Sequence, residues 1–246
     1  GNTKLARVNL AGKVDVMAND VGGLSLGRPY SGGAYSVAPN GRFAFTLSTP
    51  EHPADLAVGD GAGTRRITRL NDDLLGHKEL ASVEEIRFES SFDGRALQGW
   101  LARPPGFDPA RKYPLILEIH GGPFANYGDR FSAEVQLFAA AGYVVLYMNP
   151  RGSTSYGEEF GNLIHHNYPG EDYDDLMSGV DAVLAQGFVD PEQLFVTGGS
   201  GGGVLTAWIV GHTDRFRAAV SAKPVINWYR FVLTADSYNF FYMYWF

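Results

Sequence analysis

The sequence has no cysteine, which excludes disulfides and thiolate metal sites and suits oxidising and reducing compartments alike. It also lacks a basic cluster. The formal net charge is −7 over 246 residues, which argues against a nucleic-acid partner. No apolar run reaches the length of a membrane span, so no membrane partner is expected. There is no Walker-type or dinucleotide glycine pattern, and the run from Gly198 to Gly203 lacks the lysine of a phosphate loop. Nothing in the sequence calls for a cofactor or a metal. The first residue is glycine rather than methionine, so the natural N-terminus is expected upstream, with a signal peptide left open.

What is present is an ordinary globular composition, 45% hydrophobic, long enough for one large domain or two small ones. The most informative window is Gly198-Gly199-Ser200-Gly201-Gly202. It follows a short apolar run, Leu194 to Thr197, and precedes a helical pattern from Val204 to Val210. This fits G-x-S-x-G, a nucleophile elbow with Ser200 at its apex. On such a sharp strand-to-helix turn, side chains at Gly198 and Gly202 would collide, and the serine Oγ is held at the positive end of the next helix.

The pattern changes near residue 80. Before it come short alternating strands: Leu5–Leu10 with Val14–Met17, a run after Asn40-Gly41, then Ala54–Val58 and Arg65–Leu70 around Asp60-Gly61. Antiparallel units of four strands build β-propeller blades, and a plain antiparallel meander fits the pattern too. After residue 80 a hairpin around Asp93-Gly94 is followed by alternating strands and helices. Pro114–Ile119, Tyr143–Tyr147, Leu194–Thr197 and Ala218–Val220 read as strands. Phe131, Val135 and Phe138, then Leu176, Val180, Val183 and Leu184, mark helix faces. That alternation predicts an α/β fold with a parallel sheet covered by helices on both faces.

A second motif, His120-Gly121-Gly122-Pro123, directly follows a predicted strand. Acyl transfer to serine passes through an oxyanion that needs two aimed N–H donors. One donor would be the amide of Gly201. The other would come from this loop, where glycines let the backbone turn its amides inward.

These two motifs, in order with Asn149-Pro150-Arg151-Gly152-Ser153-Thr154-Ser155-Tyr156-Gly157 between them, make the chain similar to the prolyl oligopeptidase family of serine peptidases. The resemblance is greatest to the acylaminoacyl peptidase branch and runs from residue 80 to about 236. It implies that residues 1–80 are the last part of a β-propeller and residues 81–246 an α/β-hydrolase domain. It implies Ser200 as nucleophile, with the amides of Gly122 and Gly201 as the oxyanion hole. The dipeptidyl peptidase branch has a tyrosine where His120 stands, which favours a backbone donor here. Pro224 to Trp228 resembles a pocket-lining segment, so Val225, Trp228 and Phe231 are the candidate pocket walls, with core packing as the alternative. Arg151 resembles a loop arginine that braces the site.

A serine nucleophile needs a base, and α/β-hydrolases place the acid and then the histidine after the serine. After Ser200 the sequence has only His212, Asp214 and Asp236. His212 falls at the far end of the elbow helix and reads as a helix-end histidine. The family's acid and base follow two further strands. The sequence is therefore expected to be an internal fragment whose partner is the remainder of its own polypeptide, truncated before both groups. The aromatic run from Asn239 to Phe246 is expected to pack under something. Glu171, Asp172, Asp174 and Asp175 read either as a cation site or as charge on the first turn of a helix after Pro169-Gly170. The expected activity is cleavage of short peptides near their N-terminus through an acyl-enzyme. An esterase using the same elbow, or a non-catalytic scaffold, remains open, as does a homo-oligomer.

Overall fold

The computed structural model describes residues 1–245; Phe246, the end of the aromatic run, lies outside the described residues. Two compact units are present, residues 1–83 with 102–105 and 127–141, and residues 84–101 with 106–126 and 142–246. The division is thus not a single cut at residue 80. Among the described residues no helix is long and apolar enough to cross a membrane.

In the first unit, β1 (Leu5–Val8) and β2 (Val14–Ala18) form an antiparallel hairpin. The strand stops short of Leu10 because the Asn9 side chain accepts from the amides of Ala11 and Lys13 (3.0 and 2.9 Å) and turns the chain. β3 (Tyr35–Val37), β4 (Phe43–Thr49), β5 (His52–Gly59) and β6 (Thr64–Arg66) form a four-stranded antiparallel sheet in sequence order. Gly41, at φ +82°, supplies the left-handed turn before β4. β6 is shorter than the expected Arg65–Leu70. The buried Asp55 carboxylate accepts from Thr68 Oγ1 (2.6 Å) and the Leu70 amide (3.0 Å), so the backbone there bonds a side chain instead of extending the ladder. A short helix, α1 (Asp72–Leu75), follows. Leu5, Ala18, Val21, Phe43, Phe45 and Ala57 make this unit's core.

The second unit carries most of a six-stranded sheet built from β7 (Ser82–Glu89), β8 (Ala96–Arg103), β9 (Tyr113–Ile119), β10 (Val144–Asn149), β11 (Val189–Gly199) and β12 (Ala218–Ala222). The spatial order is β12-β11-β9-β10-β8-β7. β9, β10, β11 and β12 are mutually parallel. β10 is buried along its whole length, which explains its unbroken apolar run.

Of the helices, α2 (Ala133–Ala140) groups with the first unit. Ser132 is its N-cap, accepting from the Val135 amide (3.1 Å), so Phe131, expected on the helix face, precedes the helix. The segment is held by long-range bonds within that unit: Ser132 Oγ to the Gly27 carbonyl (2.8 Å), the Ala81 amide to Gln136 Oε1 (2.8 Å), and Arg28 to Glu134 (2.9 Å). The buried Arg130 guanidinium donates to the carbonyls of Val21, Ser48 and Thr3 (3.2, 3.4 and 3.3 Å). The short α3 (Glu158–Asn162) precedes α4 (Asp172–Leu184), which lies on β10 and β11. Next, α5 (Gly201–His212) lies on β9, β11 and β12, and α6 (Trp228–Thr234) and α7 (Tyr238–Trp245) end the described chain. Leu176, Val180, Leu205 and Ile209 from α4 and α5 share one core with strand residues such as Leu115, Leu117, Leu146 and Val196. Because four strands run parallel, the loops after β9, β10, β11 and β12 emerge at one edge of the sheet, where open α/β sheets place their chemistry.

Candidate active site

Ser200 joins β11 directly to α5 and stands in the N-cap position of that helix with φ +59° and ψ −117°. This is a strained conformation for a residue with a side chain. It is fixed from both sides: the Ser200 amide donates to the Ala222 carbonyl at the end of β12 (2.9 Å), and its carbonyl accepts from the Val204 amide (3.0 Å). The surrounding glycines are required by close approach. A Cβ on Gly198 would overlap the Gly202 backbone, and one on Gly202 would overlap the Ile119 carbonyl at the end of β9. The Ser200 side chain itself is exposed.

The β9 ladder ends at Ile119, so the amide of Gly122 lies outside it. Gly122 has φ +128°, a region open to glycine. The loop comes against the elbow here, since a Cβ on Gly201 would stand 3.0 Å from the Gly122 nitrogen. The Gly201 amide is the first of α5, at a helix end whose leading amides have no partner within the helix.

His120 is buried behind this loop. Its Nδ1 is 2.7 Å from the Gly121 carbonyl and its Nε2 is 2.9 Å from Ser153 Oγ, whose hydroxyl in turn donates to the Pro150 carbonyl (2.6 Å). Burial pushes the imidazole down to about 4, which keeps it neutral. His120 thus ties the loop after β9 to the loop after β10, a link invisible in the sequence. The other histidines are engaged elsewhere. His212 bonds the Trp208 carbonyl (2.7 Å) and stacks on that ring, as a helix-end histidine does. His165 packs against His166 and Tyr244, and His52 lies 3.6 Å from Asp55 and 3.4 Å from Asp72. His77 is exposed on the surface.

The acidic run resolves into different roles. Buried Asp175 takes the buried Arg151 guanidinium in two bonds (2.8 and 2.9 Å) and also accepts from the Arg151 amide (2.8 Å). Arg151 further reaches Ser90 Oγ (3.1 Å) and Asp93 (3.3 Å), so it braces the loop after β10. Asp172 turns Oδ1 to the amides of Gly170 and Tyr173 (2.8 and 2.9 Å), whereas its buried Oδ2 has no hydrogen-bond partner among the described residues. Burial first, with the Asp175 charge adding, pushes this carboxyl up to about 7.

That shift sets a pH dependence. Folding raises the Asp172 pKa, so the native state binds its proton more tightly, and this contribution is complete below the ordinary carboxylate range and lost as pH rises through about 7. His120 works oppositely, its folded pKa being depressed, so it costs stability as pH falls below the ordinary imidazole range. Comparing the protein with Asp172→Asn cancels the histidine. Between about pH 5 and 8 the difference in unfolding free energy should change by about 3 kcal/mol in favour of the variant. Urea titrations at the two pH values check this, and a constant difference would refute it.

Of the candidate pocket walls, Trp228 opens α6, whose N-cap Asn227 accepts from the Arg230 amide (2.9 Å). Its ring lies edge-on to Tyr168 (6.1 Å) and beside Trp245 (5.8 Å). Phe231 meets Trp228 (5.9 Å) and Phe241 (4.8 Å), and Val225 is half-buried in the loop before α6. The described part of the terminal aromatic run packs on Phe124, next to the glycine loop: Tyr244 and Trp245 lie 5.3 and 6.1 Å from its ring.

Residues 129–246 match the model of the prolyl oligopeptidase family. The uncharacterised peptidase YuxL of Bacillus subtilis is 41% identical over 211 residues, which is 85% of this chain and 32% of its own length. Dipeptidyl-peptidase 5 of Schizosaccharomyces pombe is 36% identical over 170 residues, 65% of this chain and 25% of its own. Among solved structures, the acylaminoacyl peptidase of Pyrococcus horikoshii aligns with a TM-score of 0.83 at 28% identity, over 95% of this chain and 36% of that one. This likeness gives the fold, that of an α/β-hydrolase. The chain spans about a third of the length of the relatives it matches, or less.

Proposed function

We propose, from the match of residues 129–246 to the prolyl oligopeptidase family model, that this chain carries the nucleophile and oxyanion hole of a serine peptidase that cleaves short peptides near their N-terminus. The observation that carries this reading is Ser200 at φ +59° at the head of α5, in the elbow that abuts Gly122. Ser200 Oγ attacks the scissile carbonyl, forming the C–O bond as a general base takes the hydroxyl proton that later goes to the leaving amine. The oxyanion is held by the amides of Gly122 and Gly201. The C–N bond then breaks as the leaving amine takes a proton, and water releases the acyl-enzyme.

In this reading the base is none of the six histidines: His120 is engaged by Ser153, His52 by Asp55 and Asp72, His212 by the Trp208 carbonyl at the far end of α5, His165 and His166 pack on each other, and His77 is exposed. This reading takes the acid and base from outside residues 1–246; the chain spans about a third of the length of the relatives it matches. The antiparallel sheet β3–β6 is read as part of a propeller that restricts access to short substrates.

A fluorophosphonate probe, which reports an activated serine, tests this reading. The native enzyme should label at Ser200 and the polypeptide 1–246 alone should not; rapid labelling of the latter would mean that one of its own histidines acts as base. A panel of dipeptidyl, N-acyl-aminoacyl and p-nitrophenyl ester substrates separates peptidase from esterase. If Trp228 walls the pocket for the residue before the scissile bond, Trp228→Ala in the native enzyme should reorder kcat/KM across that panel. Lower stability with the ranking unchanged would assign Trp228 to packing alone.

A further inference from the structure

The elbow helix begins with three consecutive glycines, Gly201-Gly202-Gly203. Close approach demands all three, since a Cβ on Gly201 would stand 2.9 Å from the Gly122 carbonyl oxygen, one on Gly202 would overlap the Ile119 carbonyl and one on Gly203 the Ala222 carbonyl. The cost is conformational freedom at the point where an oxyanion donor has to be held still, because glycine gives a helix end little restraint of its own. A restraint from outside the helix is therefore needed.

Ser221 Oγ supplies such a restraint at the Gly203 carbonyl (2.8 Å), and one bond supplies it at Gly201. Tyr168, from the loop before α4, places its hydroxyl 3.1 Å from the Gly201 carbonyl. We propose that Tyr168 is a positioning residue for this reaction: its hydroxyl pins the Gly201 peptide and so fixes the direction of the neighbouring Gly201 amide toward the oxyanion. The inference rests on the reading of Ser200 and Gly201 given above.

Three features of the surroundings support it. The ring is clamped between Trp245 (5.1 Å) and the edge of Trp228 (6.1 Å), so the hydroxyl is carried on a fixed lever. Burial, and after it the charge of Asp172, hold the phenol far above its ordinary range, so it remains a protonated donor. Trp228 also belongs to the candidate pocket wall, which places that wall one ring contact from the residue that holds the Gly201 peptide.

Tyr168→Phe in the native enzyme removes the hydroxyl and keeps the ring contacts. Four quantities are read: kcat, KM, the Kd of a peptide boronate that forms a tetrahedral adduct with the serine, and the thermal midpoint. The expected result is a fall in kcat of about ten-fold with KM unchanged and boronate affinity weakened by the same factor, since only transition-state binding is lost. The midpoint should move little, and it shows directly that the variant folds. Unchanged kcat and boronate affinity would overturn the inference. A raised KM at constant kcat would do so as well, making Tyr168 a pocket wall only. Ser200→Ala runs alongside: if it keeps full hydrolysis, the reading of the site fails and this inference with it. Hydrolysis that depends on Ser200 but is indifferent to Tyr168→Phe overturns this inference alone.

Discussion

Ser200→Ala in the native enzyme is expected to lower kcat by about 10⁴-fold or more while leaving the fold intact. The elbow forces the residue into φ +59°, ψ −117°, and alanine meets the same backbone restriction as serine, so the variant loses Oγ without gaining strain. On the proposed reading, binding and the oxyanion-hole amides acting on water survive, and these typically retain a residual acceleration. Hydrolysis of the preferred peptide substrate, compared at equal folded concentration, measures the loss. Retention of even a tenth of the rate would place the nucleophile elsewhere. A wild-type enzyme whose fluorophosphonate adduct maps to another residue would lead to the same conclusion.

The second large effect concerns stability. Asp175→Ala is expected to cost about 3–5 kcal/mol, because it leaves the buried Arg151 guanidinium without its main partner. Two bonds to the guanidinium and one to the Arg151 amide are lost together, and the remaining partners, Ser90 Oγ and Asp93 at 3.1 and 3.3 Å, do not replace a carboxylate in direct two-point contact. The energy arises from an uncompensated buried charge rather than from the net worth of the pair. Replacing both, as Arg151→Met with Asp175→Leu, should therefore recover most of the loss. Urea unfolding of the wild type and the two variants reads this directly. A loss below about 1 kcal/mol for Asp175→Ala, the range of an exposed pair, would show that the pair is screened by water.

Much of the local backbone geometry around Ser200 was legible in the residues. The elbow around Ser200 could be read because its constraint is local: strand, tight turn and helix follow one another within a few residues, and the glycines are those whose side chains the turn forbids. The glycine loop after β9 could be read for the same reason. The strands of the parallel sheet were visible as apolar runs, and the end of β11 at Ser200 followed from them. The exact extents were less legible. Asn9 and Asp55 bond nearby backbone with their side chains, and these bonds, rather than hydrophobic alternation, set where β1 and β6 stop.

By itself the sequence determined the α/β alternation, the antiparallel N-terminal strands, the absence of thiol chemistry and the serine at the elbow. Each of these depends on residue type and short-range spacing, which the chain carries without folding. Only the tertiary structure decided that Asp175, and not its acidic neighbours, takes Arg151, that His120 is spent on Ser153, and that residues 127–141 group with the N-terminal unit. It alone brought the Tyr168 hydroxyl to Gly201, across 33 residues of chain. A polar side chain offers the same donors and acceptors in any context. Which of them it uses is set by the distance and direction to partners that only the closed sheet and its helices bring together, and by the burial that makes an unmet bond costly.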